Sequence, residues 1–177
     1  MTEMSIVTDP VASYAAEFSR GAAAGAQPVW LRSVRERAVE AFRSRGFPTR
    51  HDEDWRFTNV AAIAETVFVP AAVRGVAGDR AMLGESVLPE VAAQIVFVNG
   101  RFAPELSDVH LLPTGLRVER LGPAAARGGA ELEAHLGRVA AFDRQPFVAL
   151  NTALWTDGVL VVAAPDAVID APIHVLF

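Results

Sequence analysis

His51, Asp52, Glu53 and Asp54 are the densest run of ligand-type side chains in the chain. An imidazole beside carboxylates is the material of a metal centre or of acid–base chemistry, provided that several of the groups meet at one point. Neighbours in an extended segment project to opposite sides, so they converge poorly. The competing reading is a solvated turn whose acids pair with Arg50 and Arg56, and the residue types favour it. Trp55 and Arg56 offer a second chemistry, stacking on a ligand ring or a partner side chain. Against it stands a buried indole whose N–H bonds a backbone carbonyl.

Other chemistry-bearing residues are scattered. His174 lies in the alternating run Ile173–Phe177, opposite Ile173, Val175 and Phe177. It is expected to face outward, as a ligand carried on a strand or, more commonly for this residue, as an exposed edge histidine. His110 and His135 stand isolated. The chain has no Cys, which excludes disulfides and thiolate ligation of iron or zinc by its own residues. No P-loop, dinucleotide fingerprint, nucleophile elbow or zincin motif is present. A net charge of −5 without a basic stripe argues against nucleic acid as a partner. No run reaches the ~18 apolar residues of a membrane span. The opening MTEMSIVTDP lacks the apolar core of a secretory signal. The expectation is a soluble cytoplasmic protein without a membrane partner.

With 177 residues, 51% of them hydrophobic, the chain can bury one sizeable core or a small domain plus the start of another. Asp9-Pro10 reads as a helix start, with Val11, Tyr14, Ala15 and Phe18 on one face. After a small-residue linker, Gly21–Ala26, Pro28 opens a longer helix. Its inner face is Trp30, Leu31, Val34, Ala38, Ala41 and Phe42; Arg32, Arg35, Glu36, Glu40 and Arg43 face water. Gly46 and Pro48 end it, and the two helices are expected to pack as a hairpin. Gly46–Val60 reads as an ordered turn that buries Trp55 and Phe57, with Thr58 or Asn59 capping a short helix through Ile63. A Val67–Val69 run and a patternless surface connection, Ala71–Pro89, follow. Ile95–Val98, Asn99-Gly100 and Arg101-Phe102 form a hairpin signal. Leu116 and Val118 alternate like a half-exposed strand. Gly122–Gly129 reads as a linker, and Ala130–Ala141 as a helix with Leu132, Leu136 and Val139 inward.

The last thirty residues are patterned differently. Pro146 suits a first helical position, and Phe147, Leu150 and Leu154 share a face. Asp157-Gly158 turns the chain, with φ > 0 expected at Gly158; Asn151 is expected to bond backbone. Three apolar runs follow, Val159–Val162, Val168-Ile169 and Ile173–Phe177, separated by Pro and Asp corners. Short strands at such corners suit a parallel β-helix. The expected fold is therefore α+β: an N-terminal helical hairpin and small mixed region at 1–157, then the first, incomplete rungs of a right-handed parallel β-helix at 158–177. An uncovered rung leaves a free sheet edge, so self-association or fraying is expected at 173–177.

GFPTRHDEDWRFTNV (46–60), and LNTALWTDG followed by VLVVAAP and APIHVLF, resemble the SufD family of iron–sulfur cluster assembly scaffolds. The matching positions are Glu53, Asp54, Trp55, Thr58, Leu150, Asn151, Asp157 and Gly158, for which structural roles outweigh binding ones. Only the N-terminal portion of the family's length is covered. The resemblance implies a non-enzymatic scaffold working with SufB and the ATPase SufC. It places the family's SufC-contacting, SufB-pairing and cluster-forming regions mostly outside this chain. No cofactor is therefore expected on this chain alone, and His174 inherits no cluster role. Two other readings stand beside this one. The first is a small β-helix enzyme modifying acyl or sugar groups, with His174 and Asp170 as its candidates. The second is a free-standing partner-binding module built on Trp55.

Overall fold

Asp9 begins the first helix as its side chain dictates: Oδ1 accepts the N–H of Ala12 at 3.0 Å, and α1 runs Pro10–Ala22. The computed structural model describes residues 9–22, 27–66, 68 and 80–177. The Val67–Val69 run lies outside the described residues except for Phe68, as do 23–26 of the first linker and 71–79 of the connection. The chain forms two units, one from 1–69 with 128–155 and one from 70–127 with 156–177.

In the first unit α2 (Val29–Arg45) follows Pro28 and stops at Gly46, whose φ of 71° lets its N–H reach the Phe42 carbonyl at 2.8 Å. The expected hairpin of α1 and α2 is completed by a third helix, α6 (Pro146–Leu154). Ala15, Ala38, Val39 and Ala153 meet in its core, with Phe18, Phe142 and Leu154 against them. Small side chains at the crossing let the helices approach closely, and the larger residues close the sides. Arg35 does not face water as expected. Its guanidinium stacks on the Trp155 ring at 4.3 Å, and Nη2 donates to the Trp155 carbonyl at 2.8 Å. It thereby satisfies a carbonyl that the end of α6 leaves open; burial pushes its pKa below the usual value. α3 is Ala61–Glu65 and α5 is Ala130–His135, which stops short of the expected Ala141. Gly137, at φ 72°, ends that stretch, and Val139 is 86% exposed rather than inward. Leu132 is buried as expected.

In the second unit β1 (Ala93–Val98) and β2 (Arg101–Phe102) form the hairpin predicted from Asn99-Gly100, with φ of 50° and 74° at the two turn residues. β3 (Leu116–Arg120) pairs antiparallel with β4 (Val159–Ala163), Val118 opposite Val161. β5 (Ile173–Leu176) pairs parallel with β1, giving the sheet order β2-β1-β5. Residues 158–177 thus pair with strands of 93–120. The Val168-Ile169 run is not a strand. Asp166 takes φ 63°, and the chain passes through irregular backbone to Pro172. The expected linker at Gly122–Gly129 is mostly helix. α4 (Leu121–Ala126) buries Ala124 and Ala125, so an Ala-rich stretch that reads as a spacer is a packing face. Arg80–Ser86, expected to be without pattern, forms 3-10 turns across a kink at Gly84, and Leu83 packs against Val96, Ala103 and Leu106.

Candidate functional site

The loop Gly46–Val60 is held from inside and from below. Asp52 turns back on Thr49: its Oδ2 accepts the Thr49 N–H at 2.7 Å and the Thr49 hydroxyl at 3.1 Å. These bonds, the backbone one first, hold its carboxyl below the ordinary range. Glu53–Trp55 then make one 3-10 turn. The acids do not pair with Arg50 and Arg56. Asp54 accepts from Gln145 Nε2 at 3.1 Å, while His51 and Glu53 lie exposed. Asn59, not Thr58, serves the next helix, taking the Ala61 N–H at 3.0 Å. Thr58 contributes only its backbone N–H, to the Trp55 carbonyl at 2.9 Å.

Aromatic rings tie this loop to α6. Phe42 meets Phe47 edge-on at 5.1 Å, Phe47 meets Phe147 at 5.9 Å, and Trp55 lies tilted on Phe147 at 5.2 Å. Trp55 is half-buried; Phe57, expected to bury, is 91% exposed, with the Arg56 guanidinium 5.5 Å from its ring. Arg45 Nε donates to the Asp143 carbonyl at 2.7 Å. The loop and the start of α6 enclose an open groove of about 270 Å³, lined by Phe47, Pro48, Glu53, Trp55, Arg144 and Pro146 among others. Two segments singled out separately in the sequence are therefore one clasp. Part of the signal for it was available: Phe47 and Phe147 are large aromatics beside prolines, and Trp55 stands in the charged turn between them. Their pairing across the chain was not.

Leu150 is half-buried on α6, and Asn151 is exposed there, contributing its backbone carbonyl to the Trp155 N–H at 2.9 Å rather than a side-chain bond. Asp157 was named only as a turn residue, yet its side chain is 4% exposed. Oδ2 pairs with Arg120 Nη2 at 2.8 Å and accepts the Phe102 N–H at 3.1 Å; Oδ1 takes the Gly158 N–H at 2.9 Å. Burial pushes its pKa up, but the bonds from Arg120, Gly158 and Phe102 together outweigh it and hold the carboxyl below its ordinary value.

Gly158 does not have the positive φ expected of it. A Cβ there would come 2.5 Å from Leu121 Cδ1 and 3.2 Å from Cγ, so the Leu121 side chain must turn aside to admit one. Gly158→Ala is accordingly expected to destabilise the second unit by roughly 1–2 kcal/mol as Leu121 is displaced. A denaturant midpoint equal to that of the unaltered chain would contradict this.

His174 shares its side of β5 with Leu176, which packs inward against Val96, so it does not face outward as expected. It is half-buried, with Nδ1 enclosed and without a hydrogen-bond partner. His110, His135 and Asp170 are exposed. Among the described residues no three His, Asp or Glu side chains are placed to share a metal ion, and no helix is long and apolar enough to cross a membrane. What the geometry offers is packing: the 46–60 signature segment is held against Gln145 and Phe147, on the turn of α6 that leads into the 150–158 segment.

The chain belongs to the SufBD family, since residues 14–175 match the SufBD protein N-terminal region. It is 32% identical over 154 residues to an iron-sulfur cluster assembly SufBD family protein of Synechocystis. That alignment covers 86% of this chain and 33% of the cyanobacterial protein, so the chain spans about a third of the length of the curated relative it matches.

Proposed function

We propose that this chain is the N-terminal part of a SufD-type scaffold subunit, serving iron–sulfur cluster assembly by structure and contact, not by catalysis. The observation that carries this reading is the clasp. In a family whose matched relative is described as an iron–sulfur assembly protein, the signature residues Trp55 and Asp54 engage Phe147 and Gln145, at the start of the helix that runs into the second signature stretch. Likeness of 46–60 and 150–158 to SufD supports that subunit over SufB. On this reading the work is cytoplasmic, the partners are SufB and SufC, and the cluster belongs to the assembled complex.

The reading also assigns a parallel β-helix to the strands that would stack on β5. That strand lies at the edge of its sheet among the described strands, parallel to β1, and its IHVL sequence carries no Asp, Glu, Lys or Arg to guard the edge. The chain by itself is expected to self-associate there, or to exchange its outward β5 amides rapidly. A monomer at every concentration in sedimentation, with all amides of 173–177 protected, would remove this support.

Two measurements test the function. Grafted onto a SufD in place of that protein's own N-terminal part, this chain should restore iron–sulfur enzyme activity in cells lacking SufD; rescue only when it is grafted in the same way onto SufB overturns the assignment. The chain alone should fail to retain SufC in a pull-down, and tight stoichiometric retention would contradict the proposal. A partner-contact role for the loop is the second reading, favoured by the half-exposed Trp55 beside the groove. Trp55→Ala separates the two. The structural role predicts a loss of roughly 2 kcal/mol in the first unit, less than full burial of the ring would give. Unchanged stability with lost capture of a Suf partner would favour contact.

A further inference from the structure

We draw no further inference here: the strongest candidate, the open groove between the Gly46–Val60 loop and the start of α6 with Glu53 and Arg144 on its walls, is a surface for which nothing in the structure shows what covers it.

Discussion

Phe42→Ala is expected to cost the first unit about 3–5 kcal/mol, the range for emptying a fully enclosed aromatic site. Phe42 is 0% exposed, and its ring meets Tyr14 at 6.3 Å and Phe47 at 5.1 Å, both edge-on. Removing it takes away transfer energy and leaves a cavity between α1 and α2. It also undercuts Phe47, the ring that carries the loop 46–60 onto Phe147. All three Trp residues (30, 55 and 155) and the single Tyr (14) fall in the first unit. Tryptophan fluorescence in urea therefore reports this unit, and its midpoint should fall sharply. A shift worth less than about 1 kcal/mol would mean that the ring is not enclosed as described.

Asp157→Ala is expected to cost the second unit roughly 2–3 kcal/mol. The substitution orphans the Phe102 and Gly158 N–H groups and the Arg120 guanidinium. Arg120 is 53% exposed and returns partly to water, which keeps the loss below that of breaking a wholly buried pair. Because the folded carboxyl titrates below the unfolded one, its contribution is present above the unfolded pKa of about 4 and disappears as pH falls through the folded value. Acid should therefore weaken the second unit of the unaltered chain, and Asp157→Asn should flatten that slope at a smaller cost at neutral pH. Hydrogen exchange at the amides of 102 and 116–120 is the readout, since the second unit contains neither Trp nor Tyr. Equal acid sensitivity in the Asn variant would rule out Asp157 as its source.

Local signals were legible and tertiary ones were not. Asp9, Gly46, Asn99-Gly100 and Pro146 act on backbone within a few residues, so the sequence places them correctly. Arg35 reads as a surface charge because nothing near it announces Trp155, 120 residues away. Phe57 reads as core by hydrophobicity alone, whereas the turn that buries Trp55 on one side sends Phe57 to the other. Gly158 reads as a turn residue by type, yet what it meets is Leu121, which only the fold brings close. For the candidate site, the two signature stretches were visible one at a time. The packing of the first against the start of α6, through Phe47, Trp55 and Phe147, depends on the excursion of the chain through 70–127 and back.

That excursion sets a timetable on the ribosome. Gln145 follows Asp54 by 91 positions, which take roughly 5–20 s to synthesise. Throughout that interval α1 and α2 have emerged without the α6 residue Ala153 that completes their core. Phe42 and Phe47 must wait beside water, or beside a chaperone, while the intervening strands appear. Slow codons or a stall within 70–127 would lengthen the wait, and nascent chains arrested there are expected to be cut by protease within 28–60, while chains arrested with α6 clear of the exit tunnel resist.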